Sequence, residues 1–463
     1  MSPGIRSALA FAIMAGLLVV VGIGQSWSVA LAIFNLCLIS SIMALGVNIQ
    51  WGYAGLFNVG IMGFAALGGA ATVLISKEPV AEAWHAGGGY LLMALVACLF
   101  AVAMIVFIRR RMGKGPVRSL CITATIITGY FLARYFYQPA VDAIEAVNPA
   151  KTGYLGGFGL PIILSWAVGG VFAAGAAWVV GRVALGLRSD YFAIATLGIA
   201  EIIIALMKHE DWLTRGVRNV TGLARPVPYE VDLQSSTWFI GLVERFNAGA
   251  LSGLNSDTRI EALQNLVINA SSLFVKLCYA GLFLVVLVLI LGLSMRALNS
   301  PWGRMMRAIR DNEIAAGAMG KDVTASHRQI FIIGSAVVGI AGAMLVTLDG
   351  QFTPGTYNPL RFTFLIWVMV IVGGSGNNLG SIIGAFTIWF FWIEAEPLGI
   401  WLIDKATAWM GEDSAFRAHM LGSAQHMRLL TMGLVLLLVM RFSPGGILPE
   451  VVRHSGSGRS QQK

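Results

Sequence analysis

Twelve apolar runs, most of them divided by short polar loops, set the tightest limit on what this chain can fold into. They lie near 8–24, 29–49, 54–75, 90–108, 117–137, 160–181, 191–207, 272–295, 328–348, 362–373, 380–396 and 426–441. Wound as a helix, about 20 apolar residues match the hydrocarbon thickness of a bilayer. Inside lipid every backbone amide needs a partner within the protein, which helices provide. The expected fold is therefore all-α: a polytopic transmembrane helical bundle of about 10–12 spans, with broken or re-entrant segments where a run is too short for a straight crossing.

The formal net charge of +9 raises the question of nucleic acid, but position answers it. Lys and Arg sit mainly between and after the apolar runs, as the positive-inside rule requires, so no nucleic-acid partner is expected. Only 12% of residues are charged and mean hydropathy is +0.76, against about 25% charge in soluble domains. Threading the chain from a cytoplasmic start, with the first run read as an uncleaved span, puts 18 Lys or Arg on one side and 6 in the short loops opposite. Both termini then lie in the cytoplasm. The long segment 208–271, with 6 basic and 7 acidic residues, reads as an extracytoplasmic insertion. Residues 1–450 form one membrane domain, and the polar 451–463 a disordered cytoplasmic tail.

Two glycine-rich stretches interrupt the runs, Asn48-Ile-Gln-Trp-Gly-Tyr-Ala-Gly-Leu-Phe-Asn-Val-Gly-Ile-Met-Gly63 and Gly373-Gly-Ser-Gly-Asn-Asn-Leu-Gly-Ser-Ile-Ile-Gly384. Their similar spacing suggests a faint internal repeat. Irregular backbone at membrane depth survives only where protein buries it or water lines it. Asn48, Gln50, Asn58 and Gly60, with Gly373, Gly374, Asn377 and Asn378, are therefore candidates for a translocation path through discontinuous helices. Close helix packing through small residues is the other reading of Gly60, Gly63, Gly380 and Gly384.

Few ionisable groups fall inside the runs. Arg134 and Lys276 lie near span ends and are expected to snorkel. Glu201 is mid-span, and is expected to hydrogen-bond within the bundle or, alternatively, to relay a proton. Glu394 and Glu396 read as solvated residues at a span end. Cys37, Cys98, Cys121 and Cys278 have no metal-ligand spacing, so no metal site is expected. No nucleophile motif or Gly-x-x-x-x-Gly-Lys-Ser/Thr loop occurs, so the chain is expected to be neither an enzyme nor a nucleotide binder.

Residues 299–320 are expected to form a basic, amphipathic surface helix, with Ser300 as N-cap, Pro301 in the first turn and Gly320 just past the end. Met305, Ile309 and Ala316 share an apolar face, and Arg304, Arg307 and Arg310 fill much of the rest. Such a helix either lies in the membrane interface or docks in a partner's groove.

Glu313-Ile-Ala-Ala-Gly-Ala-Met-Gly320 resembles the Glu-Ala-Ala...Gly signature of importer permeases, with Ile314 interposed. Joined to Ser300-Pro-Trp-Gly-Arg, Gln50-Trp-Gly-Tyr-Ala-Gly-Leu-Phe-Asn-Val-Gly60, Tyr191-Phe-Ala-Ile-Ala-Thr-Leu, Val372-Gly-Gly-Ser-Gly376 and Arg441-Phe-Ser-Pro-Gly-Gly-Ile-Leu448, it makes the chain resemble the branched-chain amino acid permeases of ATP-binding cassette (ABC) importers. The resemblance covers most of 30–450, and 208–271 is longer than the family's usual loop. It implies a bacterial inner-membrane protein whose 299–320 segment is a cytoplasmic coupling helix. Arg307, Arg310, Glu313, Ala315, Ala316 and Gly320 would be the residues that meet the ATPase. It further implies a homologous permease partner, two ABC ATPase subunits that bind ATP and Mg, and a periplasmic solute-binding protein. The solute would be leucine, isoleucine or valine, with urea, short amides or another small carboxylate as alternatives. An ion-coupled carrier using Glu201 or Asp349 is the alternative of another class.

Overall fold

The structure is a computed structural model that describes residues 3–148, 153–252, 255–410 and 414–450; the tail 451–463 lies outside them. Seven long or apolar helices come first: α1 (Pro3–Gly24), α2 (Trp27–Val47), α3 (Ile61–Ser76), α4 (Ala81–Arg111), α5 (Pro116–Ala146), α6 (Ile162–Ala184) and α7 (Ser189–His209). Four short helices follow, α8 (Asp211–Thr214), α9 (Glu230–Ser235), α10 (Thr237–Phe246) and α11 (Ala248–Leu251), with strand β1 (Val220–Thr221) among them. Then come α12 (Ser256–Asn299), α13 (Pro301–Asp311), α14 (Glu313–Ala318), α15 (Val323–Asp349), strand β2 (Gln351–Phe352), α16 (Leu365–Gly373), α17 (Asn378–Ala406), α18 (Ala415–Gly422) and α19 (Met427–Phe442). Among the described residues ten helices are long and apolar enough to cross a membrane, and Ile61–Ser76 and Arg361–Gly373 are shorter apolar helices. Together these twelve fall on the twelve runs.

α15 gives the bundle its ends. It starts beside α13 and α14 and finishes at β2, which pairs antiparallel with β1, Val220 opposite Phe352 and Thr221 opposite Gln351. The basic 299–320 segment and the 208–252 region are thus separated by 27 residues of helix, about 40 Å. Gln25 and Ser26 alone separate α1 from α2, and α2 runs toward the basic end, so α1 begins there too. Arg310 of α13 meets Glu450, which brings the far end of the described chain to the same face.

Several expectations need correction. Residues 55–60 are irregular and α3 starts only at Ile61, because the glycine-rich break takes up the start of the 54–75 run. The 208–271 insertion ends early, since α12 runs unbroken from Ser256 through 44 residues into its membrane span. The 299–320 helix is two helices, since Asn312 leaves helical geometry (φ −156°, ψ 96°) and its side chain caps the second by accepting from Ala315 N at 2.9 Å. Ser300 stands at the N-cap of α13 in extended geometry, but its hydroxyl donates to Ala297 O instead of capping. Met305 packs partly buried against the core as expected, and Met306 of the same helix is fully buried beside it. Lys276 Nζ donates to Ser28 O at 3.1 Å, in the first turn of α2, tying α12 to α2. Glu394 is buried and accepts from Gln25 Nε2 at 2.7 Å, while Glu396 pairs with Arg428.

At the centre α3, α6 and α15 cross through small residues. A Cβ on Gly68 would overlap the Gly339 carbonyl, one on Gly339 would meet Gly169 and Ala173, and one on Gly342 would overlap Ala65. Backbones approach this closely only where side chains are missing. The hairpin α4–α5 packs mainly on itself and is tied to the rest where Tyr137 and Trp212 both reach the Glu210 carboxylate.

Gly68→Val is expected to destabilise the bundle by about 2 kcal/mol or more, as overpacking against a neighbouring backbone has no flexible side chain to yield. Gly281→Val on α12, where a Cβ meets nothing within 4 Å, is the control. Thermal denaturation of the purified protein in detergent compares the two, and equal midpoints would contradict the packing assignment.

Candidate functional site

The two breaks are built by different local means. After α2 the helix widens into a π turn, Asn48–Gly52, and the chain then turns through Gly55 at φ +72°. After α16 it passes through Gly374 (φ +114°) and Gly376 (φ +80°), conformations that a residue with a Cβ rarely adopts. Asn377 then caps α17, its Oδ1 accepting from Leu379 N at 3.1 Å.

The fold brings these two breaks together. Asn48 Nδ2 donates to Asn378 Oδ1 at 3.0 Å, and Asn48 Oδ1 accepts from Gly376 N at 2.8 Å. Gln50 Nε2 donates to Phe331 O and Ser335 Oγ on α15, both at 3.0 Å. Asn58 Nδ2 donates to Gln50 Oε1 at 2.9 Å, and Asn58 Oδ1 accepts from Gly60 N at 2.9 Å. Asn48, Gln50 and Asn58 are all at most 2% exposed. An amide unpaired at this depth would cost about 1–3 kcal/mol, so the cluster braces the irregular backbone that it accompanies.

Neighbouring elements complete the brace. Trp367 Nε1 donates to Asn58 O at 2.9 Å, Thr363 Oγ1 donates to Val59 O at 3.1 Å, and Val59 N donates to Thr196 Oγ1 of α7 at 3.1 Å. The closing segment after α19 straps the second break, with Ile447 N donating to Val372 O at 2.8 Å and Leu448 N to Gly373 O at 2.9 Å. Gly373 and Gly380 touch so closely that a Cβ on Gly373 would overlap the Gly380 carbonyl.

α13 and α14 are joined to this brace from below. Arg310 Nη1 donates to the Gly52 carbonyl and to Glu450 Oε2, the latter at 2.9 Å. Burial works against the charge of Arg310, and the adjoining Glu450 carboxylate outweighs it, holding the guanidinium above its usual range. Arg307 Nη2 donates to Leu298 O at 3.2 Å, back toward α12. Ala316 is buried, whereas Glu313, Ala315 and Gly320 are exposed. Gly320 adopts φ +78°, as a residue past a helix end often does. Ile314 and Met319 are 86% and 81% exposed.

Of the residues singled out in the sequence, the structure joins Asn48, Gln50, Asn58, Gly60, Gly373, Gly374, Asn377 and Asn378 in one network and links it to Arg310. Glu450, Ser335, Trp367 and Thr196 were missed. Each bonds a partner far away in sequence, and Ser335, Trp367 and Thr196, lying in the apolar runs as polar groups, were the hint, whereas Glu450 lies outside them. Glu201 departs from expectation, being exposed and without a hydrogen bond or ion pair among the described residues. Asp349 is exposed as well, at the end of α15.

Comparison with known proteins adds an independent line. A family described as the permease component of branched-chain amino acid transport systems matches residues 146–440. The high-affinity branched-chain amino acid transport system permease protein LivM of Salmonella typhimurium is 28% identical over 243 residues, 52% of each chain. LivM of Escherichia coli K12 is 27% identical over 287 residues, 62% of this chain and 61% of that one. The chain thus spans about half to three fifths of the length of these relatives. No solved structure matches it.

Asn48→Leu removes the partner of both Gly376 N and Asn378 Oδ1 and is expected to cost about 2–4 kcal/mol. The double variant Asn48→Leu with Asn378→Leu is expected to cost less than the sum of the two single changes, because they share one interaction. Additive losses in thermal unfolding would show that the two breaks are not coupled through this pair.

Proposed function

The chain belongs to the permease components of branched-chain amino acid transport systems, and from that membership we propose that it is the membrane-spanning permease subunit of an ABC importer. It carries leucine, isoleucine or valine inward across the bacterial inner membrane, with both termini in the cytoplasm. A homologous permease stands beside it, two ABC ATPases that bind ATP and Mg engage its cytoplasmic face, and a periplasmic solute-binding protein delivers the solute.

One observation carries this reading above all. α14 and the residue that follows it present Ile314 and Met319 almost fully exposed at the basic end, while Arg310, one helix earlier, is bonded to the first break at Gly52 and to Glu450 beside the second. Apolar side chains left exposed beside the basic helix α13 fit the groove of a partner protein better than water. A partner that grips α14 displaces α13, and Arg310 passes that displacement to the Gly52 carbonyl. The brace then favours one arrangement of the two breaks or the other, so nucleotide state at the ATPases and pathway state in the bundle become linked. Glu313, Ala315 and Gly320 complete the docking surface. Arg307 and Ala316 set how α13 and α14 sit on the bundle. A zwitterionic aliphatic solute suits a membrane interior with few ionisable groups.

Co-purification from the native membrane, followed by mass spectrometry and an ATPase assay, tests the assembly. Recovery of a second permease and an ABC ATPase is expected, and a chain that comes out alone yet drives gradient-dependent uptake in vesicles would overturn the reading. In the reconstituted complex, Ile314→Asp with Met319→Asp is expected to lower ATP-driven leucine uptake at least tenfold while the yield of folded permease stays unchanged. Undiminished uptake would remove α14 from the docking surface.

A further inference from the structure

We infer that the exposed face of α7 lines the aqueous path of the solute and that the Glu201 carboxylate receives the solute's cationic ammonium group; the second part rests on the function proposed above.

α7 is 21 residues long, about 31 Å, so it spans a bilayer once. Glu201 lies two residues, about 3 Å, from its midpoint. Tyr191, Ile194, Gly198, Glu201 and Ala205 form an exposed stripe, with Ile202 and Leu206 exposed along one side of it, and Phe192, Thr196, Ala200 and Ile204 form the buried one opposite. Glu201 therefore points away from the bundle at mid-membrane depth, with no hydrogen bond or ion pair among the described residues. A carboxylate at that depth is costly in hydrocarbon and persists where water or a countercharge meets it. Gly198 and Ala205, one turn to either side, have no side chain that could bond it, and space beside Gly198 is open.

The back of the same helix is held by the braced breaks. Val59 N donates to Thr196 Oγ1, and Gly63 of α3 packs so closely on Ala200 that a Cβ there would meet its Cα. A shift in the first break is thus transmitted to the helix that carries Glu201. An ionised carboxylate only accepts hydrogen bonds, so it favours a primary ammonium and repels the carboxylate end of a zwitterion. The solute is thereby oriented as it passes.

The test uses the complex reconstituted in vesicles, with Cys37, Cys98, Cys121 and Cys278 replaced by Ser. A charged, membrane-impermeant thiol reagent attacks only thiols that water reaches. Glu201→Cys is expected to react at least tenfold faster than Val285→Cys, which sits at mid-depth on the exposed side of α12. Gly198→Cys, on the same face of α7, is expected to behave like Glu201→Cys and serves if the latter fails to assemble. Saturating leucine is expected to slow both reactions. Separately, Glu201→Gln is expected to lower leucine uptake at least tenfold with ATP hydrolysis retained, and Glu201→Asp to keep more of it. Reactivity no higher than at the α12 position would overturn the aqueous face. High reactivity together with wild-type uptake by Glu201→Gln would overturn the ammonium contact alone. A wild-type complex that imports no branched-chain amino acid would overturn the functional reading and the ammonium contact with it, while the reactivity ratio would still decide the aqueous face.

Discussion

Everything in this bundle depends on one requirement: backbone that leaves the helix inside a bilayer must find its hydrogen bonds within the protein. Two helices give up that regularity, and three amide side chains restore what is lost. Asn48 reaches across to Gly376 and Asn378, Asn58 turns back on Gly60, and Gln50 stands between Asn58 and α15. The breaks are therefore a single joint, since a change in one removes bonding partners from the other. The glycines supply the approach and the asparagines supply the bonds, so neither residue type could be exchanged for the other.

That joint also explains the position of the basic helices. Arg310 ties this pair to a carbonyl of the π turn and to Glu450. The guanidinium satisfies a carbonyl that a regular helix would have paired with its own backbone. A surface element and an irregular interior element thus share one side chain, and motion of the first has a short physical route to the second. The exposed Ile314 and Met319 lie beyond that anchor, where a proposed ATPase partner would engage.

Much of this was legible in the sequence, and the gaps have physical causes. Apolar length alone located the ten helices that, among the described residues, are long enough to cross a membrane and the two shorter apolar ones, because composition at that scale is dictated by lipid and not by neighbouring helices. Glycine with asparagine inside apolar runs marked the breaks, since glycine supplies conformational freedom and the amide side chain supplies hydrogen bonds there. Pairing across the fold was hidden: nothing near Glu450 in sequence announces Arg310, and nothing near Asn48 announces Asn378. Local signals also misled where two structures compete for one residue. Asn312 lay within a helical pattern but starts a new helix, because its side chain bonds the Ala315 amide more readily than a continuing turn would. Glu201 was expected inside the bundle because a charge at that depth needs a partner, and the helix turns it outward instead.

α12 has a consequence for how the two ends of the molecule move together. While α2 and α16 are interrupted, α12 runs through 44 residues without a break, from Ser256 to the turn at Ser300 that opens α13. A rod of that length measures about 66 Å, and a tilt of about 5° displaces one end by about 6 Å relative to the other. The broken helices can bend locally, whereas α12 acts as a lever, converting a small rotation within the membrane into a large excursion at its ends.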